Sequence, residues 1–407
     1  MNTATLALDP AAAATTGVRA QPQSPWRRVW RRFRSQRLGF FSLILFASLY
    51  GLSLAGEILS NDRPLLVRYD GAWLFPLFED FPESRFGGKL PIAADYNDPF
   101  IREQLARGDN IAIYPLNPYY YNTLNYFSNA PHYPGPPDRD NWLGTDIVGY
   151  DITASLLYGF RLSVTFALLL TAVGIVLGVA IGALQGYYAG KVDFVLQRLI
   201  EIWGSMPELY LLIIFASIFN YSFVLIFALL AAFGWVQLSD YVRAEFLRNR
   251  QLEYVKSARA LGLSNRQIIW RHILPNSLTP VITFLPFRMS AAITALASLD
   301  FLGLGVTGKN SPSLGRLLLQ GKENLDAWWI SLSAFSVLVL TMLLLTFIGE
   351  ALRNALDTRI ASADDAEALD SVHTPLPFQA RQPLVLVSVA PRPVRSFVDA
   401  LRAEAVA

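Results

Sequence analysis

Glu253-Tyr-Val-Lys-Ser-Ala-Arg-Ala-Leu-Gly-Leu-Ser-Asn-Arg-Gln-Ile-Ile-Trp-Arg-His-Ile-Leu-Pro-Asn276 stands between two long apolar segments, so it reads as the water-facing loop of a membrane protein. Its spacing predicts two short helices. Gly262 suits the left-handed position that closes a first helix over 253–261. Ser264 with Gln267 three residues later makes a capping box for a second helix, and Leu263 with Ile268 occupy the hydrophobic-staple positions. Pro275 is expected to stop that second helix. Helices this short are marginal alone in water, so a loop that specifies them is expected to pack them against something.

Working outward, the chain has six apolar stretches, at 39–58, 162–184, 195–219, 223–238, 278–299 and 328–349. At 1.5 Å per residue the second is about 35 Å long, enough to cross a hydrocarbon core of about 30 Å. The fourth is short. The third contains Arg198, Glu201 and Pro207, so its membrane portion is expected to begin near Pro207 with a surface helix before it. The whole composition agrees: 53% hydrophobic and only 16% charged, with a mean hydropathy of +0.34. These values belong to an integral membrane protein, all-α with six transmembrane helices.

Basic residues set the orientation. Arg27, Arg28, Arg31, Arg32, Arg34 and Arg37 precede the first stretch and place the N-terminus in the cytoplasm. No small-residue cleavage site closes that stretch, so it reads as an uncleaved anchor. The 238–276 loop has seven basic residues against three acidic ones, whereas 60–161 has eight against thirteen. The loop therefore faces the cytoplasm and the insert the outside. The organisation expected is a partly disordered cytoplasmic segment 1–37, a first membrane helix 38–59, a periplasmic insert 60–141, a five-helix core 142–357 and a cytoplasmic tail 358–407. The tail is expected to be disordered, with a surface-lying segment over 394–404, which has an apolar face, as the alternative. Net charge of +2 follows this topology and says nothing about nucleic acid; the expected surroundings are membrane lipid, with no nucleic acid partner.

Gly174, Gly178, Gly182 and Gly186 recur at four-residue intervals on one helix face, which allows close helix approach, either within the chain or at a subunit seam. The aromatics of the insert (Trp73, Tyr119, Tyr120, Tyr121, Tyr126, Phe127, Tyr133) read as the core of a small irregular domain, with a peptide grip as the alternative. Arg288 is an ionisable group within the fifth apolar stretch. It is a candidate for the translocation path, facing a substrate carboxylate or the subunit seam. The alternative is an interior arginine satisfied by backbone carbonyls.

The loop resembles the signature of ATP-binding-cassette (ABC) importer permeases, whose "EAA" loop continues with three residues, a Gly and, farther on, Leu-Pro. Aligned on Gly262, the EAA positions fall on Lys256-Ser257-Ala258 and Leu-Pro on Leu274-Pro275. The peptide and nickel branch is a nearer match, through Glu253-Tyr254-Val255, Ala258-Arg259-Ala260-Leu261-Gly262, Ser264, Ile268 and Arg271-His272-Ile273-Leu274-Pro275-Asn276. Lys256 replaces the family's first Glu, so a charge contact of that Glu does not carry over. Trp142-Leu-Gly-Thr-Asp146 with Gly149, Asp151, Leu157-Tyr158-Gly159 and Arg161-Leu-Ser163 resembles the branch's approach to its second span, with Tyr150 at a usual Arg. Ser298-Leu-Asp-Phe-Leu-Gly-Leu-Gly305 and Ser311-Pro-Ser-Leu-Gly315 resemble its turn between the fifth and sixth. The insert, through Asn61–Tyr69 and Phe81–Gly88, is similar to Yej-type permeases of peptide and microcin C importers.

The resemblance implies a type I ABC importer permease fold and a C-type subunit. It implies a heterodimer with a homologous B-type permease, two ABC ATPase subunits carrying ATP and Mg, and a periplasmic peptide-binding protein. It makes 253–276 a coupling loop docked on an ATPase. The chain lacks a G-x-x-x-x-G-K-[ST] phosphate loop, so ATP hydrolysis belongs elsewhere and no catalytic residue is expected here. Three scattered His and no Cys argue against a metal centre, and no directly bound cofactor is expected. The competing readings are a dipeptide or nickel permease of the same family, an ion-coupled secondary transporter, and a membrane-anchored scaffold.

Overall fold

The arginine cluster ahead of the first apolar stretch is itself helical. In the computed structural model, which describes residues 25–357 apart from 125, 127–131, 220–222 and 305–310, α1 (Pro25–Ser35) bends at Gln36 into α2 (Arg37–Leu54). Val29 and Phe33 turn one face of α1 onto Ala351 and Ala355 near the end of the last helix, while Arg27, Arg28, Arg31 and Arg34 stay exposed. At 18 residues α2 is about 27 Å long, and a separate turn, α3 (Gly56–Leu59), follows it. The expected disorder of the first 24 residues, the 358–407 tail and its 394–404 face lie outside the described residues.

The insert adds a small sheet to the otherwise helical chain. It holds a three-stranded antiparallel sheet of order β2-β1-β3, from β1 (Leu66–Tyr69), β2 (Ala72–Leu74) and β3 (Ile111–Ile113), with α4 (Pro99–Ala106) packed against it. Tyr69 pairs with Ala72 across Asp70 and Gly71, whose φ values of +49° and +79° are both positive. That is the type I′ hairpin an Asp-Gly dipeptide favours. Val67, Leu74, Phe86, Tyr96, Ile101 and Leu105 form the insert's core, with Tyr69 edge-on to Phe86. The signal was present in Asp70-Gly71, but three- and four-residue strands are too short to show a period of two.

Beyond the insert the chain is helical: α5 (Ile152–Tyr188), α6 (Gly190–Gly204), α7 (Glu208–Ile218), α8 (Phe223–Gly234), α9 (Val236–Asn249), α10 (Glu253–Ala260), α11 (Asn265–Gln267), α12 (Leu274–Phe301), α13 (Leu314–Glu323) and α14 (Trp328–Leu356). Among the described residues, five helices are long and apolar enough to cross a membrane: Arg37–Leu54, Ile152–Tyr188, Phe223–Asn249, Asn265–Phe301 and Trp328–Leu356. The third of the six expected spans is divided. Pro207, which cannot donate a backbone hydrogen bond, separates α6 from α7, and the 11 residues of α7 cover only about 16 Å. The fourth, read as short, continues through Trp235 into α9.

Asp151 pins the insert to the start of α5. Its Oδ1 accepts from the Ala154 backbone N–H (2.7 Å) and from Asn117 Nδ2 (2.8 Å), and its Oδ2 from Asn141 Nδ2 (2.9 Å). Burial pushes this carboxyl above the usual carboxylate range, opposed by the hydrogen bonds it accepts. Tyr158, in the second turn of α5, donates to the Ser60 carbonyl at 2.8 Å, and Arg161 pairs with both Glu57 oxygens at 2.8 and 3.0 Å. Asp146 completes the junction: its Oδ1 accepts the Val148, Gly149 and Tyr150 N–H groups, each at 2.9 Å. Its Oδ2 takes Gln320 Nε2 of α13 at 3.1 Å.

The glycine face of α5 is used within the chain. A Cβ on Gly178 would stand 2.9 Å from Leu238 Cβ, and one on Gly182 would stand 2.5 Å from the Ser239 carbonyl and 2.9 Å from Val242 Cβ. α5 and α9 therefore touch backbone to side chain, a contact only hydrogen atoms at these positions permit.

Candidate functional site: the loop between α9 and α12

Local sequence rules place both short helices. At the end of α10, the Leu263 N–H bonds the Ala258 carbonyl (3.2 Å) and the Gly262 N–H the Arg259 carbonyl (2.9 Å), which is a Schellman closure. Gly262 has φ +78° and open space around a would-be Cβ. Glycine is needed there for its backbone conformation and not for room. The capping box is made: Ser264 Oγ accepts from the Gln267 N–H and Gln267 Oε1 from the Ser264 N–H at 3.1 Å. Leu263 and Ile268 staple the entrance, with Ile268 fully buried.

Pro275 does not stop the second helix. Ile268–Ile273 is a π-helical turn that runs directly into α12, so one helix extends from Asn265 to Phe301. The wider turn comes just before Pro275, where an α-helical carbonyl four residues back would meet the proline ring. The loop is therefore an extension of a membrane span at one side and a separate short helix at the other.

Val255, Ala258, Ile268 and Ile273 face inward and join Ala183, Tyr187, Leu238, Val242 and Phe246 in one apolar cluster. Polar contacts fix the edges. Tyr187 donates to Asn265 Oδ1 (2.7 Å), the Arg259 guanidinium lies over its ring (5.3 Å), and Arg250 donates to its carbonyl (3.1 Å). Asn249 bonds Ser277 at 3.0 Å, and Asn276 reaches Tyr254 at 3.3 Å. Asp193 of α6 binds Arg243 of α9 through both oxygens, at 2.5 and 2.8 Å.

The sequence-derived residues divide into two sets. Ala258 is buried in the seat, Gly262 and Ser264 shape the bend, and Leu274 packs on the cluster. Glu253, Lys256, Arg259, Arg271 and Pro275 are exposed. Glu253 and Lys256 pair with each other at 2.8 Å. Two apolar side chains stand out among these charges: Leu261 is 80% exposed and Trp270 65%. His272 differs from the charged set, because its Nε2 is buried without a hydrogen-bond partner among the described residues.

Arg288 is not brought to this loop. It lies 13 residues beyond Pro275 along α12, about 20 Å by helix rise. Its guanidinium fills a notch between two glycines, and a Cβ on Gly174 or Gly234 would come within 3.2 and 3.1 Å of its Nη2. Glu208, at the start of α7 beyond the Pro207 break, is close enough for its charge to be felt there. The sequence did not point to Glu208, Tyr187 or Asp193, because each lies in a different helix.

Residues 174–362 match the model of binding-protein-dependent transport system inner membrane components, and 24–72 match the N-terminal TM domain of oligopeptide transport permease C. The inner membrane ABC transporter permease protein YejE of Escherichia coli is 50% identical over 328 residues, covering 81% of this chain and 95% of that one. The chain belongs to the ABC importer permeases. The peptidoglycan transport system permease protein YejE of Agrobacterium fabrum is 43% identical, covering 85% of this permease and 97% of its own length. The oligopeptide permease OppC of Mycobacterium tuberculosis is 32% identical over 60% of the permease and 84% of its own length. The permease is a multi-pass inner membrane subunit and not an enzyme; the ATPase activity of such systems sits in partner subunits. The loop lies inside the family match, in a protein whose partners include ATPase and substrate-binding components.

Proposed function

We propose that this permease is the C-type half of a heterodimeric channel for peptides, driven by two ATPase subunits and supplied by a periplasmic peptide-binding protein. The observation that carries the reading is the loop surface. The loop leaves Leu261 and Trp270 out of its own core, on a segment whose Lys256, Arg259, Arg266 and Arg271 are exposed as well. Exposed apolar anchors inside a polar rim are the anatomy of a protein interface. A groove on an ATPase subunit is their partner, with ATP and Mg bound there.

In this reading both termini and the loop face the cytoplasm and the insert faces the periplasm. The chain has no cysteine, so single-cysteine variants report cleanly. In spheroplasts an impermeant maleimide is expected to label Asp95→Cys, and to label Arg266→Cys only after lysis. Labelling of Asp95→Cys from the cytoplasmic side alone would overturn the topology.

Peptides are supported as cargo by the named oligopeptide and peptidoglycan permeases among the relatives, and by the insert's similarity to Yej-type permeases. Arg288 is a path residue suited to a substrate carboxylate, an arginine beside a broken helix at membrane depth. A strain lacking the chain is expected to lose growth on longer peptides as sole nitrogen source and to resist a microcin C-type peptide-nucleotide antibiotic. Loss of nickel-dependent activity alone would replace peptides by nickel and leave the importer assignment standing.

A further inference from the structure

We propose that Tyr187 is the positioning residue that makes α5 and the coupling loop move as one body, a role resting on the docking of that loop on an ATPase subunit. Tyr187 lies in the last turn of α5 and is 4% exposed. Its hydroxyl donates to Asn265, the first residue of α11, at 2.7 Å. Arg259, in the last turn of α10, stacks on the same ring at 5.3 Å. One side chain thus touches both sides of the bend at Gly262, and its carbonyl takes Arg250 from the end of α9 at 3.1 Å.

The other polar ties do not do this. Asn249–Ser277 joins α9 to α12, and Asn276–Tyr254 closes the loop on itself. Among the described residues, Tyr187 makes the polar contacts that run from α5 to both sides of the Gly262 bend. Apolar packing of Val255 and Ile268 supplies adhesion but is non-directional. A hydrogen bond and a cation over a ring fix angle as well as distance. α10 and the Asn265 end of the helix that continues into α12 therefore keep a set orientation to α5, and a displacement of the loop reaches the span without slack.

The test uses the complete transporter in liposomes: this chain, its second permease, the ATPases and the binding protein. Tyr187→Phe keeps the ring and removes the hydroxyl; Asn265→Ala removes the acceptor. Each is expected to lower tri-alanine moved per ATP hydrolysed about fivefold, the worth of one neutral hydrogen bond. The double variant should be no worse than either single one, since both break the same bond. Co-purification of the ATPases is expected to be unchanged.

A second measurement is independent of cargo. Spin labels at Arg266→Cys, in the loop, and Val176→Cys, in α5, should give one narrow distance distribution with and without ATP plus vanadate. Tyr187→Phe should broaden it. An unchanged distribution in that variant overturns the proposal, as does an equal fall of transport and ATP hydrolysis with their ratio intact. Docking fails separately: a Leu261→Asp variant that keeps its ATPases and full transport would remove the docking reading, while the label distances still decide the role of Tyr187.

Discussion

Replacing Gly262 by valine is expected to abolish most transport while leaving the protein in the membrane at normal abundance. The backbone there has φ +78°, a conformation that a β-branched residue adopts at a cost of about 2 kcal/mol. No neighbour would meet the new side chain, so the whole effect comes from the backbone. To escape the strain the chain must open the Schellman closure and change the angle between α10 and α11, which redirects Leu261 and Trp270. A penalty of that size lowers the population of the docking geometry about thirtyfold. Peptide uptake and ATPase co-purification should fall together in Gly262→Val, while Gly262→Asn, a residue that tolerates left-handed backbone, should retain much of both. Normal uptake by a well-expressed Gly262→Val variant would remove the bend from the coupling mechanism.

The second large effect is expected from a single methyl group. In Gly182→Ala the new Cβ would sit 2.5 Å from the Ser239 carbonyl and 3.0 Å from the Arg243 backbone N, so α5 and α9 must separate. Overpacking of this kind costs about 1–3 kcal/mol. Separation would also loosen the Asp193–Arg243 pair and the seat beneath the loop, since Val242 and Phe246 belong to it. The thermal midpoint of the detergent-solubilised protein should drop by several degrees, with transport reduced. Gly51→Ala in α2, where a Cβ meets nothing within 4 Å, is the matched control and should be close to neutral. Equal stability of Gly182→Ala and Gly51→Ala would show that the glycine face is not tightly packed.

Features whose determinants lie a few residues apart were legible in the sequence. Gly262, Ser264 and Gln267 act on their immediate neighbours, and the structure contains the closure and capping box that they specify. Five of the six apolar stretches coincide with helices long and apolar enough to cross a membrane, and Pro207 marks the break in the third. Pro275 was misread because its effect depends on the turn before it, and nothing in Ile268–Ile273 announces a π-helical turn. The insert's sheet was overlooked because its strands are three or four residues long and only the Asp70-Gly71 turn marks them. The seat of the loop was illegible for another reason. Tyr187 and Asn265 are 78 residues apart, and their bond exists only once α5 and α9 have closed on each other.

One dimension of the fold ties these parts together. α5 is a single helix of 37 residues, about 55 Å long against a hydrocarbon core of about 30 Å. Its N-cap Asp151 is bonded to the insert and Tyr187 in its last turn is bonded to the loop, with the glycine face between them. A helix fixes rotation as strictly as length, at about 100° per residue. The insert, the α9 contact and the coupling loop are therefore held in one angular phase. Inserting or deleting one residue in mid-helix would swing one end by that angle relative to the other. The register of α5 is thus shared by every part it touches.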